Sequence, residues 1–131
     1  MRSKRIVWWS AGLLILALFV AWLVIVLSEA HDGPEIFAKA DLMGIADQLN
    51  VYRERNGSYP TTQQGLHALV AQPESSPVPH NWAQLLREEP YDPWRRPYVF
   101  RYPSPRDPNT FDLFSLGKDR VESSDDIWLP H

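Results

Sequence analysis

The chain has 131 residues, no cysteine and a formal net charge of −3. That length suits one ordinary domain, and the lack of cysteine excludes a disulfide framework and a thiolate metal site. Three basic residues (Arg2, Lys4 and Arg5) precede an apolar stretch, and the rest of the chain carries 10 Lys and Arg against 16 Asp and Glu. An acidic domain lacks the clustered positive charge of a nucleic-acid binder, so we expect no nucleic-acid partner.

The residues from Ile6 to Leu27 form an uncharged run of 22. A helix of about that length spans about 33 Å, which matches the hydrocarbon core of a bilayer. Basic residues lie before the run, and Glu29 and Asp32 follow it, so the positive-inside rule predicts a cytoplasmic N-terminus. The sequence therefore predicts a cytoplasmic segment at 1–5, one transmembrane helix at 6–27 and an exported remainder.

A cleaved signal peptide is the alternative interpretation of this run. Ser28 and Ala30 are small residues at the spacing that a signal peptidase requires. The apolar core of a signal peptide, however, usually has only about 7–15 residues. We therefore favour a retained membrane anchor.

A short linker is predicted at 28–33, followed by the exported domain at 34–131. Pro34 suits the first turn of a helix, and the Asn56-Gly57 pair is a typical helix stop. Between them, apolar residues recur at spacings of three and four, which predicts an amphipathic helix with one buried face. These residues are Ala38, Leu42, Ile45, Leu49 and Tyr52.

The next elements are a short helix and a long loop. Thr61 and Gln64 form the pattern of a capping box, which predicts a short helix that ends at Val70. Six prolines between 72 and 97 exclude long regular structure there, although Leu85 and Leu86 could form one helical turn. Aromatic side chains are expected to fold this loop back onto the core, namely Trp82, Tyr91 and Trp94.

Two aromatic and β-branched runs, 98–102 and 110–115, flank a turn rich in proline and aspartate. This pattern predicts an antiparallel hairpin, and a two-stranded hairpin needs a helix behind it for stability. A polar loop at 116–126 follows. It contains four carboxylates within eight residues, those of Asp119, Glu122, Asp125 and Asp126.

Several of these segments resemble one protein family. The stretch 50–70, NVYRERNGSYPTTQQGLHALV, resembles a segment of the G-type major pseudopilins of bacterial type II secretion. Residues 92–98 (DPWRRPY) resemble that family's DPWGxPY, and residues 111–119 (FDLFSLGKD) resemble its next motif. The Asp126-Ile127-Trp128 end also matches, so the resemblance covers about residues 38–128 in sequence order.

The resemblance implies a type IV pilin-like α+β fold. Its long N-terminal helix would have a transmembrane half and an amphipathic half packed on a small antiparallel sheet, followed by a long C-terminal loop. It also implies a structural subunit of a pseudopilus or a closely related filament, in the bacterial inner membrane with its C-terminal domain in the periplasm. The expected partners are further copies of the chain, other pseudopilins and inner-membrane secretion components.

The apolar run differs from the family pattern. A prepilin has a short basic leader that ends in glycine, and its apolar helix has a glutamate five residues in. No acidic residue occurs between 6 and 27. This difference leaves an alternative function open, a non-polymerising, membrane-anchored binding or adaptor module that uses a pseudopilin-like head.

The acidic loop is the candidate metal site. Carboxylates crowded in a loop are the oxygen ligands that Ca²⁺ prefers, although such a cluster can also be a solvated acidic surface. The resemblance implies a structural calcium ion held by Asp119, Asp125 and Asp126, with backbone carbonyls of Leu116 and Val121. The glycines of the family's loop are replaced here by Arg120, Ser123 and Ser124.

The sequence predicts no enzyme. The four histidines (His31, His67, His80 and His131) show no metal-binding spacing such as HxxxH. Ser115 lacks the G-x-S-x-G context of a nucleophile elbow. We therefore expect no catalytic residues.

Overall fold

The computed structural model describes residues 3–129, except for the side chains of residues 3–11 and 27–32. Contacts within the chain divide it into two units, Met1–Gly33 and Pro34–His131. The first unit is helical, and its side chains between residues 12 and 26 are exposed. The second unit contains the buried core and a three-stranded sheet. The predicted α+β class is confirmed.

One α-helix, α1, extends from Ser3 to Asn56 and contains Pro34. The short linker predicted at 28–33 therefore has a helical backbone. A proline inside a helix removes one N–H donor and weakens that turn, but its fixed φ is close to the helical value. Pro34 still marks a boundary, since the two units meet between Gly33 and Pro34.

The predicted membrane segment at 6–27 lies within α1. Among residues 3–129, no helix is both long enough and apolar enough to cross a membrane. At both ends, however, the predicted segment extends into residues whose side chains lie outside the described part, 6–11 and 27. The transmembrane span therefore stays a prediction, as does the cytoplasmic segment 1–5, whose side chains also lie outside that part.

The second half of α1 buries the face that the sequence predicted. The spacing of three and four puts these side chains on one side of the helix, where they join the core. The buried residues are Ala38, Leu42, Ile45, Ala46, Leu49 and Tyr52. The helix also ends as predicted, since the N–H of Gly57 donates to the carbonyl of Arg53 at 2.7 Å.

The predicted capping box is present between Thr61 and Gln64. The N–H of Gln64 donates to the Thr61 hydroxyl at 3.1 Å, and the N–H of Thr61 donates to Gln64 Oε1 at 3.0 Å. The predicted short helix forms as a 3₁₀ helix from Leu66 to Leu69, which ends one residue before Val70. Gly65 has a φ of 61°, which interrupts helical geometry directly before that segment.

The proline-rich segment 72–97 contains no helix or regular strand. The predicted helical turn at Leu85 and Leu86 is wrong, because both of their N–H groups donate to the carbonyl of Leu69, at 2.8 and 2.9 Å. Trp82 and Trp94 pack against the core as predicted. Tyr91 does not, since 56% of its surface is exposed.

The predicted hairpin is confirmed, with strands β1 (Val99–Arg101) and β2 (Asp112–Ser115). A third strand, β3 (Ile127–Trp128), pairs with β2, so the antiparallel order is β1-β2-β3. One face of this sheet joins the core of α1 through Phe100, Leu113 and Ile127. The acidic loop therefore connects two adjacent strands.

Candidate functional site

The acidic loop 116–126 is held at both ends by the sheet. Ser115, the last residue of β2, pairs with Ile127, the first residue of β3. The chain therefore leaves and re-enters the sheet at neighbouring positions. A loop closed in this way keeps its carboxylates close together.

Ser123 connects three carboxylates of this loop. Its hydroxyl has one proton to donate and lies within hydrogen-bond distance of two acceptors, Asp119 Oδ2 at 3.2 Å and the carboxylate of Asp125. Its backbone N–H donates to Asp126 Oδ2 at 3.1 Å. The second oxygen of Asp119 accepts the N–H of Val121 at 3.0 Å. The three predicted aspartates thus all contact Ser123. In the sequence, this residue stood out only because it replaces a glycine of the family's loop.

Asp126 is the buried member of this group. Its surface is 9% exposed, and its Oδ1 atom is buried and has no hydrogen-bond partner in the described part of the chain. Burial is the main cause that raises the pKa of Asp126, and the charges of Glu122, Asp119 and Asp125 raise it further. The N–H of Ser123 acts in the opposite direction. A buried carboxylate oxygen without a partner is unfavourable, and a bound cation would be a suitable partner for Asp126 Oδ1.

The other predicted residues differ in burial. Leu116 is half-buried directly after β2, whereas the side chain of Val121 is exposed, as are Asp119 and Asp125. Among the side chains that the structure describes, no three acidic or histidine groups are arranged to hold a metal ion. The carboxylates of Asp119 and Asp125 converge on the Ser123 hydroxyl instead, and that of Asp126 accepts the Ser123 N–H. The donor set, all oxygen, nevertheless suits the chemistry of Ca²⁺, and the unpartnered oxygen of Asp126 is consistent with it.

Glu122 is directed to a different partner. Arg101 of β1 donates two hydrogen bonds to its carboxylate, at 3.0 and 2.5 Å. This pair lowers the pKa of Glu122, and the hydrogen bond from Arg101 is the main cause. Glu122 therefore attaches the loop to the sheet, a role that the sequence did not indicate.

A buried carboxylate outside the loop also reaches it. Asp92 is 3% exposed, and its Oδ2 accepts the Ser115 hydroxyl at 2.6 Å. The same hydroxyl accepts the N–H of Gly117 at 3.1 Å. The sequence signal for this contact is weak, because 23 positions separate Asp92 from Ser115. The one hint is that each residue lies in a segment that resembles the family, 92–98 and 111–119.

The outer face of the sheet carries an aromatic stack. The rings of Phe114 and Trp128 lie 4.1 Å apart with an angle of 22° between them. The guanidinium of Arg106 lies 4.2 Å from the Trp128 ring, and its Nη2 is 3.0 Å from the carboxylate of Asp112. This stack packs Phe114 of β2 against Trp128 of β3.

The histidines form no site in the part of the chain whose side chains are described. His67 is exposed and lies 2.8 Å from the half-buried Glu89, and His80 is exposed. The side chains of His31 and His131 lie outside the described residues.

Comparison with known proteins gives a consistent result. Residues 25–127 match the family described as "Type II secretion system (T2SS), protein G". The type II secretion system core protein G of Pseudomonas aeruginosa is 42% identical over 103 residues, which cover 77% of this chain and 71% of the relative. That of Vibrio cholerae is 37% identical over 113 residues, covering 85% and 74%. That of Dickeya chrysanthemi is 40% identical, but the match covers only 58% of its length.

The fold is similar to that of a solved structure, the major pseudopilin from the type 2 secretion system of enterohaemorrhagic Escherichia coli. The TM-score is 0.70 at 36% sequence identity, over 77% of this chain and 86% of the other. The second unit thus has a pilin-like fold.

Proposed function

Because the chain belongs to the type II secretion system protein G family, we propose that it is a structural subunit of a pseudopilus, or of a closely related filament, in type II secretion. The observation that carries this proposal is the similarity in both fold and sequence to a major pseudopilin. A subunit of this kind acts through its surfaces.

We place the chain in the bacterial inner membrane, with residues 34–131 in the periplasm. The uncharged run at 6–27 and the basic residues before it support this location. The exposed apolar side chains between residues 13 and 26 also need a partner other than water. In the assembled filament, that partner would be lipid or the helix of another subunit.

The exposed face of α1 in the second unit supports contact between subunits. Ile36, Phe37 and Met43 are each more than half exposed, whereas apolar side chains of this size are usually buried. The expected partners are further copies of this chain and other pseudopilins.

The acidic loop is proposed to hold a structural calcium ion. Asp119, Asp125 and Asp126 would bind it, together with the carbonyls of Leu116 and Val121. Calcium supplies the positive charge that offsets the repulsion among these carboxylates. The chain itself holds the loop through Ser123, through the Arg101–Glu122 pair and through the pairing of β2 with β3.

Cross-linking distinguishes a filament subunit from a membrane-anchored adaptor. The chain lacks cysteine, so introduced cysteines are the only reactive thiols. The double variant F37C/M43C, treated in membranes with a bismaleimide, should give a ladder of trimers and larger species. Each single-cysteine variant is the matched control, because it cannot link more than two chains.

Secretion provides a functional readout for the same variants. They would be expressed in a Pseudomonas aeruginosa strain that lacks its own core protein G, and the proteins secreted by that strain would be measured. A ladder together with restored secretion is the expected result. Monomers alone, without secretion, would contradict the filament and favour the adaptor.

A further inference from the structure

Two buried serine–aspartate pairs have the same local geometry. The Ser115 hydroxyl donates to Asp92 at 2.6 Å and accepts the N–H of Gly117, two residues later, at 3.1 Å. The Ser104 hydroxyl donates to Asp112 at 2.8 Å and accepts the N–H two residues later, that of Arg106, at 3.1 Å. Ser104 lies in the hairpin turn, whereas Ser115 stands at the start of the acidic loop.

Contacts within its own turn hold Asp92 in place, independently of Ser115. Its Oδ1 accepts the N–H groups of Trp94 and Arg96 at 3.0 and 2.8 Å, and its own N–H donates to the Arg96 carbonyl at 2.7 Å. Tyr91 and Pro97 form an isolated β-bridge that closes the same turn. The carboxylate is therefore held by the turn 91–97 and leaves one oxygen free for Ser115.

Gly117 connects the start of the loop to its end. It has a φ of 62°, and a Cβ at this position would lie 3.4 Å from the carbonyl oxygen of Asp125. The Ser115 hydroxyl therefore holds Gly117 at a place where the two ends of the loop approach closely. The turn also contacts the loop directly, since Arg96 Nη2 lies 3.5 Å from the Lys118 carbonyl oxygen.

We propose that Asp92 is a positioning residue for the loop 116–126, which acts through the Ser115 hydroxyl on the amide of Gly117. The turn 91–97 and the acidic loop then form one coupled unit, although 23 positions separate Asp92 from Ser115. A loop fixed at Gly117 holds Asp125 in place without any bound ion. Only the consequence for calcium rests on the proposed function.

Hydrogen exchange tests the coupling in calcium-free protein, using the whole 131-residue chain in mild detergent. In S115A, the loop amides should exchange about five-fold faster, which corresponds to the loss of one buried hydrogen bond. S104A is the matched control, because it removes the hydroxyl that makes the equivalent two contacts in the hairpin turn, to Asp112 and to the N–H of Arg106. It should accelerate exchange around 104–110 and change the loop by less than about two-fold.

D92N provides a second variant in case S115A does not fold. An asparagine keeps an oxygen for the N–H groups of Trp94 and Arg96, but its amide nitrogen cannot accept the Ser115 hydroxyl. It should accelerate exchange in the loop as S115A does. Equal effects of S115A and S104A on the loop, or no effect of either S115A or D92N, would overturn the proposal.

A calcium titration separates this proposal from the calcium site. The calcium concentration at half-maximal thermal stabilisation should rise about five-fold in S115A and stay within about two-fold in S104A. A wild-type chain whose melting does not respond to calcium would refute the calcium site. The exchange experiment would still decide the role of Asp92, because it contains no calcium. A calcium response with the same midpoint in S115A and wild type would contradict the positioning role.

Discussion

Arg101 and Glu122 join the first strand to the acidic loop, with guanidinium-to-carboxylate distances of 3.0 and 2.5 Å. The same guanidinium lies 5.3 Å from the ring of Phe114. Arg101 thus contacts the aromatic stack and the loop at once. Because Glu122 is engaged here, the loop retains an attachment to the sheet that requires no metal ion.

E122Q should lower the melting temperature at neutral pH, and the difference from wild type should disappear in acid. The pKa of Glu122 is lowered in the fold from its ordinary value of 4.5. The stabilisation by its charge is therefore fully present above that value and is lost as the pH falls through the folded-state pKa. Thermal melts between about pH 7 and pH 3 measure this, with E88Q as the exposed control. A difference that stays constant over this range would contradict the role of the ion pair.

Removal of calcium should destabilise the domain. A ligand that binds only the folded state contributes about 2.7 kcal/mol at a hundred-fold excess over its Kd, so EGTA should lower the melting temperature by several degrees and Ca²⁺ should restore it. D125A should abolish the response. D107A, which removes an exposed carboxylate outside the loop, should preserve it. A wild-type melt that is unchanged by millimolar Ca²⁺ would exclude the site.

R95G should stabilise the domain by about 0.5 kcal/mol. Arg95 has a φ of 62° at the position of the glycine in the family motif. A side chain in this conformation costs about 1 kcal/mol, and glycine removes that cost. Part of the gain is lost, because glycine also increases the conformational entropy of the unfolded chain. R95A is the control, because it removes the same guanidinium without relieving the backbone. Urea unfolding should give the order R95G above wild type, and R95A at or below wild type.

Local patterns in the sequence predicted much of the fold. The stripe from Ala38 to Tyr52 follows from helical periodicity, and the capping box of Thr61 and Gln64 needs only residues three apart. The proline at position 34 was misleading, because it is compatible with both the start and the interior of a helix. Strand β3 has only two residues, which is too short for any alternation to appear.

The closeness of the acidic side chains was predictable from the sequence, but the contacts that support the loop were not. The aspartates at 119, 125 and 126 are close in sequence, so their proximity in space was expected. Arg101 and Asp92 lie 21 and 23 positions from the residues that they contact. Such contacts depend on strand register and on the path of the proline-rich segment, and a single sequence carries no direct signal of either.

Y98F should make the domain less sensitive to alkali. Burial and then the hydrogen bond to Asp41, 3.0 Å long, raise the pKa of Tyr98 above its ordinary value of 10.0. The stability that depends on the neutral phenol is complete below that value and is lost as the pH rises above it. Y98F should cost about 1 kcal/mol at neutral pH and lose less stability than wild type towards pH 11. Y91F alters an exposed tyrosine and should follow wild type.

Q64E should be among the most damaging single-atom changes in this domain. The buried Gln64 donates through its Nε2 to the carbonyls of Ser75 and Pro77, at 2.8 and 3.0 Å, while its Oε1 accepts the N–H of Thr61. A glutamate keeps the shape, but it places a carboxylate oxygen against the two carbonyl oxygens of Ser75 and Pro77, which lose the donor that Gln64 supplies. We expect a loss of about 2–4 kcal/mol in urea unfolding, from unsatisfied buried groups and charge burial.

The neighbouring Gln63 provides the matched control for this change, because it is exposed and Q63E adds the same charge one residue away. Q63E should stay within about 0.5 kcal/mol of wild type. The loss in Q64E should shrink as the pH falls, since protonation of the new carboxylate restores one donor to the carbonyls. Equal stabilities of Q64E and Q63E would mean that Gln64 does not hold the proline-rich segment to the capping box.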